Sequence, residues 1–214
     1  MKFSSFIFSL FCATLLISSC KKDTITYTFE GYVFSNLNSA SLSEVTVNIG
    51  QKTFDGTVAS ATFANVGNSS TNSSGYYEIT FDREKVVEFK VDFSKNNYFD
   101  VSIEISSSEV STEEPKIVDQ TMDAKAWVNF KLKNIGGMTT DEFVLVKYNF
   151  REGCQNCATN GYSYFDGIVD SNFTNITTAG VFTKYSYKAP GSSVYIQDSV
   201  FATPFDTSFV TINY

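Results

Sequence analysis

The chain of 214 residues is acidic, with 16 Lys and Arg against 23 Asp and Glu, a formal net charge of −7, and no histidine. The missing histidine excludes Ser-His-Asp and Cys-His nucleophilic sites and every histidine-ligated metal centre. An acidic chain without a basic run is a poor partner for nucleic acid, whose binding rests on phosphate neutralisation by Lys and Arg.

At the start, Lys2 precedes an apolar stretch from Phe6 to Ile17, then Ser18-Ser19-Cys20, and the chain turns polar at Lys21-Lys22-Asp23. This is the layout of a secretory signal peptide. The apolar run is shorter than the roughly 20 residues a membrane span needs. Ile17-Ser18-Ser19-Cys20 resembles a bacterial lipobox, and the Cys-Lys-Lys-Asp start is similar to lipoproteins of the Bacteroidetes. The resemblance implies a leader over 1–19, lipidation of Cys20 by acyl chains such as palmitate, and a tether over 20–24. It further implies an outer-membrane location, on the periplasmic face or the cell surface, with the membrane as partner through the anchor. One acyl chain holds a membrane only marginally, whereas the two or three of such lipoproteins would make a firm anchor. The other readings of this segment are an ordinary cleaved leader with an incidental cysteine, or a buried apolar strand. Removing 1–19 leaves 195 residues at net −8, enough for one large or two small domains.

Hydrophobic content of 43% and aromatic content of 16% suffice for packed cores, and the many Phe and Tyr beside 3 Pro favour strands. The first strand is expected where Ile25, Tyr27, Phe29, Gly31 and Val33 alternate with Thr26, Thr28, Glu30 and Tyr32. After an Asn36–Ser43 loop, Val45, Val47 and Ile49 form a second, ended by Gly50. Residues 51–74 are weakly patterned and expected to make a long surface excursion, with Thr57 to Phe63 the stretch capable of a short strand. Asn72-Ser73-Ser74-Gly75 signals a turn into Tyr77, Ile79 and Phe81. Val87, Phe89, Val91 and Phe93, then Phe99, Val101, Ile103 and Ile105, repeat the alternation after further turns. Short strands without a helical period read as a β-sandwich.

Phe29-Glu30-Gly31-Tyr32-Val33, Leu42-Ser43-Glu44-Val45-Thr46-Val47 and Thr71-Asn72-Ser73-Ser74-Gly75-Tyr76-Tyr77-Glu78-Ile79 resemble a carboxypeptidase regulatory-like domain. The resemblance covers roughly 25–106 and departs from the family in carrying Asn72 where Asp is common and in the long 50–70 insertion. It implies a transthyretin-like (prealbumin-like) sandwich and a non-catalytic stabilising or spacer role.

Ser106 to Asp123 is acidic and reads as an edge strand around Ile117 plus a connection. From Lys125, Ala126, Val128, Phe130 and Leu132 alternate with Trp127, Asn129, Lys131 and Lys133, and Trp127, the lone tryptophan, is expected to pack at the junction. Phe143–Phe150, Tyr162–Val169, Val181–Tyr187, Ser193–Asp198 and Phe209–Tyr214 add further strands. The expected fold is all-β: two β-sandwiches in series, the first over 25–123 and the second over 124–214.

Cys12 leaves with the leader and Cys20 takes lipid, so Cys154 and Cys157 alone remain as thiols, in an oxidising setting. Cys154-Gln155-Asn156-Cys157 lies in a loop rather than at a helix N-terminus, and zinc would need two more ligands. A local disulfide is the preferred reading, with thiol exchange and a free pair as alternatives. Asp119 with Asp123 and Asp166 with Asp170 fall short of a calcium loop and read as solvated charge. Neither a catalytic residue, a metal nor a cofactor is expected. The aromatics Tyr76, Tyr77, Tyr162, Tyr164, Phe165, Tyr185, Tyr187 and Tyr195 either stack on sugar rings or serve cross-strand packing, the latter being favoured. Asp23-Thr24-Ile25 and Asp198-Ser199-Val200 resemble Bacteroidetes O-glycosylation sites. The expected function is that of a non-enzymatic structural or binding module of the envelope, with envelope proteins or glycans as partners and carbohydrate binding as the alternative.

Overall fold

The alternation of β1 (Thr26–Ser35) buries Tyr27, Phe29, Gly31 and Val33 against one core and turns Thr28, Glu30 and Tyr32 outwards. The structure, a computed structural model, describes residues 24–54, 56, 58–136, 143–149, 162–166, 170–188 and 191–214. Within these residues the fold is all-β. The first half adds β2 (Thr46–Thr53), β3 (Ala64–Ser70), β4 (Tyr76–Asp82), β5 (Val86–Ser94), β6 (Val101–Ser106), β7 (Lys116–Ile117) and β8 (Gln120–Met122). One sheet runs β4-β1-β7 with β8 also on β1, and the facing sheet runs β3-β2-β5-β6. β7 and β8 follow β1 in parallel, pairing Phe29–Glu30 and Val33–Ser35 respectively. A 3-10 turn at Ser107–Glu109 begins the connection that carries the chain back.

Between these sheets Phe29, Val33, Val45, Val47, Ile49, Phe89, Val91 and Phe93 have no exposed surface. Tyr27, Phe29, Phe81 and Phe89 form an aromatic cluster with ring centroids 5.2 to 6.1 Å apart. Such pairs add about 0.5–1.5 kcal/mol each beyond their buried area.

The second half is built from β9 (Lys125–Lys133), β10 (Phe143–Asn149), β11 (Tyr162–Asp166), β12 (Ser171–Thr178), β13 (Phe182–Lys188), β14 (Ile196–Phe201) and β15 (Thr207–Asn213). Its sheets run β12-β9-β15, with β9 and β15 parallel, and β11-β10-β13-β14. Phe130 is stacked on Phe173 at 5.5 Å and meets Tyr185 edge-on at 5.2 Å, with Val128, Leu132, Val146, Val210 and Ile212 around them.

Several local expectations are corrected. The excursion over 51–74 contains β3, at 64–70 rather than 57–63, and β12 was not anticipated at all. Ile25 and Val87 continue the apolar alternation of their strands but are exposed: Ile25 precedes β1, and a bulge between Lys52 and Thr53 pairs Val86 instead of Val87, so that Val86 packs on the core and Val87 turns outwards. Trp127 is half-buried on the outer face of β9, opposite Ile176, and does not plug the junction.

Small residues do that instead. Ala124, Ala126, Ala179 and Ala202 belong to the same buried cluster as Met122, Tyr98 and the core of the first sandwich. Lys125 N–H bonds across to Asn97 O (2.8 Å), flanked by Phe99 N–H to Asp123 O (2.9 Å) within the first half and by Ala179 N–H to Ala124 O (2.9 Å) and Phe205 N–H to Lys125 O (3.0 Å) within the second. The Tyr98 and Phe205 rings lie 5.5 Å apart. β1 runs towards this junction and β9 runs away from it. At about 3.3 Å per residue, the 10 residues of β1 and 9 of β9 measure about 33 and 30 Å.

Candidate functional site

Among the described residues, three surfaces gather exposed groups of interest to function. The first is the outer face of β1 and β4. Register places Tyr32 opposite Tyr76 and Glu30 opposite Glu78. The Tyr32 ring lies 5.3 Å from Tyr76 and 6.3 Å from Phe34. The Tyr76 hydroxyl is 2.9 Å from a Glu30 carboxylate oxygen and 2.8 Å from one of Glu78, and its single proton serves one at a time. Hydrogen bonding to Glu78 and then Glu30 holds the phenol well above its usual pKa. Asp119 accepts from Tyr32 N–H at 2.8 Å, next to this face. An aromatic flanked by carboxylates offers a stacking surface and hydrogen-bond acceptors. The sequence reading included Tyr76 but missed Tyr32, which read only as a polar-side partner of the β1 alternation, and Phe34, which the alternation left out.

The second surface is the end of the second sandwich farthest from the junction. Val194, Tyr195 and Ile196, three successive residues entering β14, are all exposed, as is Ile135 just after β9. β14 is an edge strand, a hazard for unwanted pairing. Asp198 guards it, accepting from Tyr185 Oη at 3.0 Å with one carboxylate oxygen and from Ser199 N–H at 2.7 Å with the other. Burial, then the Asp198 bond, raises the Tyr185 pKa.

The third is the opposite end of the molecule, where a groove of about 1040 Å³ opens among Tyr27, Phe54, Arg83, Lys85, Val87 and Val110. The chain enters the fold here, with Arg83 N–H bonded to Ile25 O at 2.9 Å and Phe54 N–H to Lys85 O at 2.9 Å.

Of the residues singled out from sequence, Cys20, Cys154 and Cys157 lie outside the described residues. Asp119 and Asp123 are brought to separate structural tasks, since Asp123 accepts from Asn36 Nδ2 at 2.7 Å. Among the described residues no cluster of three or more acidic or Cys ligands could hold a metal. Tyr77 and Tyr185 are buried, so neither can offer a ring to a ligand. Tyr164 and Tyr195 are exposed, but Tyr164 is on β11 and Tyr195 precedes β14, the two edges of one sheet. Three strand spacings, about 14 Å, separate such edges, too far for one sugar platform. Thr24 and Ser199 are exposed.

No family model matches the chain, and no curated protein matches its sequence. Among solved structures it is similar to a streptococcal ancillary pilin (12% identity, TM-score 0.37), covering 89% of this chain and 63% of that one. The minor pilin of Streptococcus agalactiae aligns at 11% identity and TM-score 0.35, over 87% of this chain and 94% of its own. The shaft pilin SpaA of Lactobacillus rhamnosus GG aligns at 10% identity and TM-score 0.34, over 89% and 97%. Similarity this low carries no functional information.

Proposed function

We propose that the chain is a lipid-anchored, non-enzymatic module of the outer membrane that holds its second sandwich away from the bilayer. The observation that supports this most is the junction: the two halves share a buried cluster, the Tyr98–Phe205 ring contact and the backbone bond from Lys125 N–H to Asn97 O, where a flexible linker would let the distal half swing. β1 begins at the end nearest Cys20 and ends at the junction, and β9 continues away from it, so strand direction itself points the distal end outwards. The exposed Val194-Tyr195-Ile196 segment then stands where an envelope partner would meet it. The resemblance of residues 25–106 to a carboxypeptidase regulatory-like domain fits the same spacer role. The deciding experiment is Cys20→Ala in the full chain. Release from the membrane fraction with both halves folded is expected, and continued membrane fractionation would sink the anchored reading.

Carbohydrate binding is a second reading, favoured by the Tyr32 ring with Glu30 and Glu78 beside it. It requires glycan-array binding that Tyr32→Ala abolishes, and an array at background would count against it.

A further inference from the structure

We propose that the open end of the first sandwich, the end with the groove, is a membrane-contact face lying against the phospholipid headgroups of the bilayer that holds Cys20. This rests on the anchored reading above and specifies what the anchor brings to the surface.

Reach is the first argument. Ile25 is fixed to the fold through its carbonyl, which accepts from Arg83 N–H at 2.9 Å. Five residue steps separate Cys20 from Ile25, and at no more than about 3.6 Å each they span at most about 18 Å. Acyl chains on Cys20 therefore confine this end to within that distance of the headgroups, whatever the rest of the molecule does. Confinement makes contact effectively intramolecular, so a weak surface suffices.

Composition of the end is the second. Ile25, Phe54, Val58 and Val87 are 57%, 42%, 67% and 43% exposed. The isolated bridge between Phe54 and Ala59 keeps Val58 beside Phe54, and the Phe54 N–H bond to Lys85 O ties that loop to the β4–β5 turn. Apolar side chains in an interface enter about 5–10 Å, to the headgroup–acyl boundary.

Charge is the third. Among the described residues, segments 82–87 and 107–110 at the groove carry two basic residues, Arg83 and Lys85, against three acidic ones, Asp82, Glu84 and Glu109, so this end is close to neutral while the mature chain is −8, and Lys21 and Lys22 precede it in sequence. Anionic headgroups repel the remainder of the molecule and leave the groove end free to approach. The same asymmetry favours an upright stance over a flat one.

The test uses the full lipidated chain in vesicles of phosphatidylethanolamine with a minor share of phosphatidylglycerol, with and without brominated acyl chains. Phe54→Trp on a Trp127→Phe background is expected to lose about half its emission to the brominated lipid, given an interfacial depth of about 5–10 Å. Trp127 in the unaltered chain, on the second sandwich, is expected to keep its emission. A chain that floats with the vesicles but leaves Trp at 54 unquenched overturns the contact face and leaves the anchor standing. A chain that does not float overturns the anchor and the contact face with it. Equal quenching at 54 and 127 means a molecule lying flat, and also overturns the proposal. Amide exchange on unsubstituted side chains gives the independent readout: 82–87 should be slowed in the vesicle-bound chain relative to soluble Cys20→Ala, and equal rates refute the contact.

Discussion

Gly31→Ala is the substitution that most directly tests how the first sandwich is closed. Gly31 faces inwards between Phe29 and Val33, and the chain linking β7 to β8 crosses directly over it. A Cβ at this position would stand 2.7 Å from the Val118 carbonyl carbon and closer still to its oxygen, both of them backbone atoms that cannot rotate away. Three bonds fasten that crossing: Val118 N–H to Glu30 O (2.8 Å), Tyr77 Oη to Val118 O (2.8 Å) and Tyr32 N–H to Asp119 Oδ1 (2.8 Å). Overpacking costs about 1–3 kcal/mol, and loosening three bonds worth about 1 kcal/mol each brings the total to about 4–6 kcal/mol. Urea unfolding would show it as a lower midpoint at unchanged slope. Tyr77→Phe alone orphans the buried Val118 carbonyl, at about 1–3 kcal/mol. If the mechanism is right, Tyr77→Phe costs less once Gly31→Ala has displaced Val118, a coupling a double-mutant cycle reads directly. Strict additivity, or a Gly31→Ala cost below about 1 kcal/mol, would refute the reasoning.

Asn72 Oδ1 accepts from Ser74 N–H, Ser74 Oγ and Tyr76 N–H at 2.9, 2.7 and 3.1 Å, all as acceptor, so Asn72→Asp should hold stability in thermal unfolding while Asn72→Ala loses about 1–2 kcal/mol. Thr71 Oγ1 donates to Leu42 O at 2.6 Å and accepts from Val45 N–H at 2.9 Å in a buried position, so Thr71→Val should cost about 2–4 kcal/mol in urea by orphaning both. The phenols of Tyr77 and Tyr185 have pKa values raised above the ordinary 10.0, chiefly by burial. A group raised in the folded state contributes stability below its unfolded pKa and loses it as pH rises, so stability should fall above pH 10, and less steeply in Tyr77→Phe. Ala202→Leu overpacks the junction at about 1–3 kcal/mol, and amide protection should fall on both sides of it, in 97–99 as well as 179–181.

Most strands of the first half were legible because one apolar residue alternates with one polar, as in Tyr77, Ile79 and Phe81 against Tyr76, Glu78 and Thr80. β3 was not, because Val66 is its one large apolar residue, packed against the core beside a bulge in the pairing with β2, while a Cβ on Gly67 would lie 2.5 Å from Ile79 Cγ2. β12 hid for a related reason. Phe173 is its one large inward residue; Thr177 faces Thr183 through hydroxyls 3.3 Å apart, while the apolar Ile176 points outwards to Trp127. In both strands the backbone ladder carries the element, and a ladder leaves no periodic trace. The exposed surfaces were legible only in part. Tyr32 and Phe34 occupy the side of β1 that alternation assigns to solvent, and only cross-strand register shows that Tyr76 joins them.

The junction explains why a lone large residue was the wrong signal to follow. Two sandwiches meeting end to end must bring backbone within hydrogen-bonding distance of backbone, as Lys125 N–H does with Asn97 O at 2.8 Å. A tryptophan placed between them would hold those backbones apart; alanines at 124, 126, 179 and 202 let them close while still burying methyl groups. Contact of this kind is short-ranged and directional, so it resists bending about the joint more than a single bulky contact would. Stiffness at the joint turns strand direction into a lever: whatever orients β1 at the base also orients β9 and the exposed Val194-Tyr195-Ile196 at the far end. A face that presses the base of the first sandwich onto headgroups would therefore set the bearing of the distal surface, although the two share no residue.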